Sequence, residues 1–394
     1  MTAERPWPGA TDADAYIASE AGTAELFEGL RGETLLAVDT EAASFHRYLD
    51  RIYLIQVSSR GMTAIIDPLA MASLDPLGAA LIDPAVEIVF HDADYDLRIL
   101  DRDYGLRATN LFDTRIAAQL LNEPGLGLAA LLEKHLGVRL NKKYQRADWS
   151  RRPLTPPMLE YAAADTRYLP ELRDLLRERL DSAGRWAWAK EEFQLLEEVR
   201  WTPSGPPGEA YLRLKGAKAL RGRSLLLLQE LFAWREENAR RLDRAPFRVL
   251  NNEALVAIAQ AAPGDLAALG QVPGLSPETV SRRGDELLAA VARGVAAPPS
   301  AIPVFERSRR LPPDPVFDAA LERLKTARNQ AAERLDLAPG VLCPNGILEA
   351  IARARPSTVE EMKALPGVRR WQVNALGMDL LEALGEEKRS VGTE

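Results

Sequence analysis

Asp39 and Glu41 stand two residues apart at the end of an apolar run, LLAVDTE. On a strand that spacing points both side chains to one face. Two neighbouring carboxylates repel unless one is protonated or a divalent cation neutralises them, and an all-oxygen set suits Mg2+ or Mn2+. An isolated Asp-x-Glu is equally an exposed edge pair. A second group lies in FHDADYDL, residues 90–97, where a strand leads directly into a helix. Asp92 and Asp94 fit N-terminal capping positions favoured by the helix dipole, whereas Asp96, further in, projects back toward the strand ends as another carboxylate ligand. The third group is Tyr161 and Asp165 in YAAAD, at i and i+4 on one helix face with small alanines between them. Alone, such a pair is as readily an exposed hydrogen-bonded couple; the combination of all three groups is what points to chemistry.

The elements that must position these side chains are legible as a change of period along the chain. From Leu35 to Phe90, short β-rich runs (LLAVD, IYLIQVS, TAIID, VEIVF) alternate with breakers and one helical stretch. Past Asn110 the spacing is helical, over Thr114 to Leu121, Leu126 to Leu136, Met158 to Leu180 and Trp186 to Val199. Pro/Gly-rich linkers at 202–208 and 296–315 then divide the chain in three. The two C-terminal segments align with each other at a constant offset of 93 residues: Arg235, Arg241, Leu242, Pro246 and Asn252 fall on Arg328, Arg334, Leu335, Pro339 and Asn345, and Pro273-Gly274 falls on Pro366-Gly367. Each copy reads as helix, helix, then a Pro-Gly turn into a final amphipathic helix. The expected architecture is an α/β N-terminal domain over 1–202, followed by two all-α copies over 210–295 and 314–386.

Composition sets the outer bounds. The chain has 394 residues, 46% hydrophobic and 27% charged, which excludes wholesale disorder. One cysteine, Cys343, and three histidines leave no disulfide and no Cys/His zinc cluster, so a reducing compartment is expected. No apolar run approaches the ~20 residues that span a bilayer, and the N-terminus lacks the apolar core of a leader; a cytoplasmic protein without membrane contact is expected. The net charge of −7 is uneven. Residues 1–100 carry 6 Lys/Arg against 17 Asp/Glu, whereas Tyr211 to Leu250 carries 10 against 4, an excess suited to phosphates or simply solvated.

VDTE, HDADYD and DWSRRPLTPPMLEYAAAD together resemble the proofreading-type DEDD exonucleases in their tyrosine-bearing branch, and within it the ribonuclease D family. The duplicated segment resembles the HRDC domain. The resemblance implies a ribonuclease H-like fold, a mixed sheet flanked by helices, ahead of two HRDC-like domains. It implies that Asp39, Glu41, Asp96 and Asp165 bind two divalent ions, Mg2+ or Mn2+, and that Tyr161 orients the attacking water of a two-metal phosphodiester hydrolysis. The implied activity is 3′ to 5′ exoribonucleolysis of RNA with a free 3′ end, such as tRNA precursors, releasing 5′ nucleotides. A 3′ to 5′ DNA exonuclease and a non-catalytic RNA-binding protein are the alternatives.

Weaker candidates for substrate contact are Gln56 on LIQVS and His91 at a strand end, each equally suited to a structural hydrogen bond. Lys142, Lys143, Arg146, Arg151 and Arg152, interleaved with Tyr144 and Trp149, form a candidate phosphate track. Arg213, Lys215, Lys218, Arg221 and Arg223 are candidates in the first helical copy. Asp113 is expected to cap the helix that follows it. A monomer is expected.

Overall fold

The computed structural model describes residues 10, 11, 13–203, 205, 208–303 and 314–390, without the side chains of 386–390. The first expected linker falls partly, and the second by half, outside these residues. Among them, no helix is long and apolar enough to cross a membrane.

A six-stranded mixed sheet is built from β1 (Ala15–Ile17), β2 (Leu35–Ala42), β3 (Ile52–Ser58), β4 (Thr63–Ile66), β5 (Glu87–Phe90) and β6 (Leu111–Asp113), in the order β1-β4-β3-β2-β5-β6. β3 is antiparallel to β2 and β4, whereas β5 runs parallel to β2 and β6. β3 is central and buried along its whole length, which explains the almost unbroken apolar run IYLIQVS. β1 and β6 have three residues each, too few for a period to register in the sequence.

Eight helices accompany the sheet: α1 (Glu20–Gly29), α2 (Asp75–Leu81), α3 (Asp94–Tyr104), α4 (Thr114–Leu120), α5 (Leu128–Leu136), α6 (Pro156–Arg167), α7 (Leu169–Ser182) and α8 (Trp186–Glu197). The single helix expected over Met158 to Leu180 is two, α6 and α7, meeting at Tyr168. Pro170 explains the break, since it has no N–H to continue the ladder and restricts the residue before it.

Alternation along the strands divides the apolar residues between two faces. Leu54 and Ile65 meet Ala162 and Ala163 of α6 with Trp149, while Val38, Ile55 and Val57 turn to a larger core with Leu26, Leu77 and Leu97.

Among the described residues the two C-terminal copies contain five α-helices each, two of them short elements not apparent in the periodicity. They are α9 (Arg223–Leu242), α10 (Pro246–Val249), α11 (Asn252–Ala261), α12 (Leu266–Gly270) and α13 (Pro277–Ala296), then α14 (Pro315–Arg334), α15 (Pro339–Leu342), α16 (Asn345–Ala354), α17 (Val359–Lys363) and α18 (Arg370–Ser390). From α10 and α15 onward every helix start repeats at the 93-residue offset. The left-handed residues repeat too, at Asp243 and Asp336, Ala262 and Arg355, and Gly274 and Gly367.

One internal network repeats with them. Arg235 donates to the Leu250 carbonyl and to Asn252 Oδ1 at 2.7 Å, as Arg328 does to the Cys343 carbonyl and to Asn345 Oδ1 at 2.7 Å. Where the copies differ is in their cores. The second copy's apolar residues are continuous with the α/β domain's core, through Leu337, Leu342 and Trp371, whereas the first copy closes its own cluster, against which Tyr48 of the α/β domain packs, and touches that domain again through the ring pair of Phe45 and Phe247.

Candidate active site

β2 and β5 are parallel neighbours, and the site lies at the carboxyl-terminal half of β2, just past the end of β5, where α3 begins and α6 crosses β2, β3 and β4. Asp39 and Glu41 pair across the ladder with Gln56 and Leu54, so both acids lie on the face that α6 covers. Tyr161 and Asp165 project from α6. Asp96 comes from the first turn of α3, is 6% exposed, and accepts a hydrogen bond from the Thr40 hydroxyl. Thr40 stands between the two β2 acids and therefore points to the opposite face, toward α3.

The electrostatics of this cluster are unusual. Asp39, Glu41, Asp96 and Asp165 all have pKa values well above the ordinary carboxylate range. Burial is the largest cause in each case. For Asp39 the charges of Asp96 and Asp165 add to it, and for Glu41 those of Asp39, Asp165 and Asp96. None of the four is in a salt bridge among the described residues. No group of three or more His, Cys, Asp or Glu side chains among them is gathered tightly enough to hold a metal ion as it stands. The acids are close enough to repel, with Asp96 turned to Thr40, and are not closed around a common point. A largely desolvated, all-oxygen, uncompensated anionic set of this kind fits hard divalent cations by its chemistry.

The Tyr161 phenol has a raised pKa, from burial first and then from Asp165, Glu41 and Asp39, so it keeps its proton beside the carboxylates. Its ring is braced by Tyr144, at a centroid distance of 6.2 Å, and by the buried Trp149, at 6.0 Å. A cavity of about 380 Å3 opens against Tyr161 and Asp165, bordered by Leu140, Tyr144, Ala164 and Tyr168.

The remaining candidates fall in different places. Gln56 is wholly buried beside Asp39, and neither its amide nitrogen nor its oxygen has a partner, at a cost of about 1–3 kcal/mol in an apolar surrounding. His91 is bound to the Thr114 hydroxyl at 2.9 Å through Nδ1, and burial, reinforced by Arg115, lowers its pKa to about 4, leaving it neutral. Arg152 is committed to Asp67 and to the carbonyls of Tyr53 and Trp149, which hold its loop to the sheet. Arg151 pairs with Asp148 at 3.3 Å but stays largely exposed; Lys142 and Lys143 are exposed, and Arg146 lies over the Phe45 ring at 5.1 Å. Arg213, Lys215 and Lys218 are exposed on the first copy, while Arg221 and Arg223 are spent on backbone carbonyls.

Neither Asp92 nor Asp94 makes the expected cap hydrogen bond. Asp92 has a left-handed backbone and faces Arg115 at 3.5 Å, and Asp94 pairs with Arg98 at 2.8 Å. Asp113 instead accepts from the Ala93 N–H at 2.7 Å while also capping α4, as expected. Thr40 was not singled out from the sequence, although its place on the opposite parity between two acids of one face was the available signal.

Residues 15–181 match the 3′-5′ exonuclease family, and residues 224–291 and 317–384 each match the HRDC domain. Ribonuclease D of Granulibacter bethesdensis is 32% identical over 363 residues, covering 91% of this chain and 89% of that protein. Ribonuclease D of Pseudomonas paraeruginosa is 32% identical over 375 residues, covering 94% and 97%. The crystal structure of Escherichia coli RNase D, described as an exoribonuclease involved in structured RNA processing, superposes with a TM-score of 0.68 at 28% identity, over 94% of this chain and 98% of that one.

Proposed function

The chain belongs to the ribonuclease D family of 3′ to 5′ exoribonucleases, and on that premise we propose that it trims the 3′ ends of tRNA precursors and other structured RNA, as a cytoplasmic monomer. The observation that carries this reading is the set of four acids, Asp96 buried and the others half-buried, with no basic partner among the described residues. Asp39, Glu41, Asp96 and Asp165 would hold two divalent cations, Mg2+ or Mn2+, which when bound make a water nucleophilic and stabilise the leaving 3′ oxygen of the phosphodiester.

The chain's own residues supply the rest. The protonated Tyr161 phenol orients the attacking water by hydrogen bonding, and the Tyr144 and Trp149 rings fix its direction. Thr40 fixes one oxygen of Asp96 and leaves the other to the site. Lys142, Lys143, Arg146 and Arg151 draw in the phosphate backbone, whereas the wholly buried Gln56 amide reaches the substrate end only if the strand beside Asp39 opens. The buried free thiol of Cys343 is consistent with a reducing compartment.

The test is the shortening of 5′-labelled single-stranded RNA and DNA of matched sequence with Mg2+ or Mn2+. Stepwise loss from the 3′ end of RNA, abolished by EDTA and by Asp165→Ala, is expected. Equal shortening of DNA moves the substrate to DNA, and no shortening of either removes the catalytic reading.

A further inference from the structure

The two helical copies dock on the α/β domain through the same turn, the one that follows their first long helix. Asp243 accepts from Arg47 Nη1 at 3.1 Å and from the Tyr48 N–H at 3.3 Å, and its counterpart Asp336 accepts from Asn122 Nδ2 at 2.9 Å. What the turn carries next is different. In the second copy Leu337, Gly340 and Val341 follow; Leu337 joins the core shared with the α/β domain, and Val341 packs against it. In the first copy the same positions are Arg244, Phe247 and Arg248, all exposed, and neither guanidinium has an ion pair or a hydrogen-bonding partner among the described residues. A turn whose counterpart serves packing has here been given a ring and two uncommitted cations.

The turn that carries these three residues lies against loops that border the candidate active site. The Ala245 N–H donates to the His46 carbonyl at 3.3 Å, and the Phe247 ring meets Phe45 edge-on at 5.9 Å; the two rings are 45% and 44% exposed. Phe45 lies only four residues after Glu41, within ~14 Å along the chain. Over its ring sits Arg146, whose carbonyl is bound to His46 Nε2 at 2.9 Å and whose loop carries Tyr144 and Trp149 against Tyr161. Exposed rings alternating with unpaired guanidinium groups, continuous with a site for a strand end, are the pattern that grips single-stranded nucleic acid, with bases on rings and phosphates on arginines.

We infer that this seam, formed by Phe45 and Arg146 on one side and Arg244, Phe247 and Arg248 on the other, binds the single-stranded RNA segment that leads to the 3′ end. The inference rests on the exonuclease reading for its direction of travel. It gives the first copy a task the second does not share: stacking the bases behind the terminal nucleotide, so that the strand stays engaged as its end shortens.

The full-length chain carrying Asp165→Asn is titrated into 5′-fluorescein oligoadenylates of 12 and 3 nucleotides, with anisotropy as the readout. Adding Arg244→Ala and Arg248→Ala, which break no docking hydrogen bond, weakens binding of the 12-mer about tenfold and that of the 3-mer by less than twofold. The slope of log affinity against log salt falls by about 1.4, as expected for two phosphate contacts on a single strand. Phe247→Leu weakens the 12-mer while Phe247→Trp restores it, which a merely structural ring does not require. A charge-matched control, Arg282→Ala with Lys325→Ala, stays within twofold. Unchanged 12-mer affinity and salt slope in the double-arginine variant overturn the inference, as does an equal loss on both lengths. The parent chain is assayed for RNA shortening in parallel. Seam-dependent binding without shortening contradicts the exonuclease reading and leaves the seam standing; shortening with seam-independent binding does the reverse.

Discussion

Buried charge is handled in opposite ways in the two halves of this molecule. In the helical copies Arg235 and Arg328 are 4% and 8% exposed, and each is answered by a carbonyl and an asparagine oxygen of its own copy. Around β2, α3 and α6 four carboxylates, one buried and three half-buried, have one another's charge and no cation beside them among the described residues. Burying an ion costs several kcal/mol unless it is paired. The repeated arginine network offsets that cost and holds the fold; the acid cluster does not, and an unrelieved cost of this kind marks a place built to receive something from outside the chain.

The largest expected effect separates the two classes outright. Asp165→Asn lowers the rate of RNA shortening by at least about 10³-fold, while it raises the melting temperature of the metal-free protein, because it removes a repelled charge. Arg328→Ala does the opposite, costing roughly 3 kcal/mol by leaving Asn345 and the Cys343 carbonyl unanswered. Calorimetry sharpens this further. The second copy shares the α/β core, so Arg328→Ala lowers the main transition, whereas Arg235→Ala releases an earlier, separate transition of the first copy.

A smaller effect lies in the pH dependence of stability. A carboxylate whose folded pKa is raised stabilises the fold while protonated, and that contribution is lost as pH climbs from about 4 through the raised value. The metal-free protein therefore loses stability from about pH 4 to pH 8. Saturating Mn2+ raises the melting temperature by about 5 °C at pH 8 and by less at pH 6, and Asp39→Asn removes the difference. Smallest is Thr40→Val. Loss of the hydroxyl that stabilises the Asp96 anion raises that pKa further, so the acidic limb of the pH–rate profile moves up by about one unit, a tenfold loss on that limb. An unmoved limb would mean that Asp96 does not need to ionise.

Much of this was legible from residue types and spacing. The period-2 rule placed Asp39 and Glu41 on one face, and the offset of 93 set the register of both copies down to their left-handed residues. What escaped was whatever depends on a partner distant in sequence. Asp92 and Asp94 sit where caps are expected, but the cap N–H goes to Asp113, twenty residues on. Arg152 belongs to a basic stretch, yet Asp67 claims it from the end of β4. The exposed pair of Phe45 and Phe247 exists only because two domains meet. No local pattern announces it.

The central claim is that the four unpaired acids are a cation-binding site and not a structural cost borne for its own sake. Electron paramagnetic resonance of free Mn2+, titrated with the full-length protein at pH 8, tests it without reference to turnover. Wild-type protein and Arg282→Ala are expected to deplete the free-ion signal by about two ions per chain, and Asp39→Asn by one at most. Undiminished free Mn2+ with the wild type, or equal depletion by Asp39→Asn, would contradict the account.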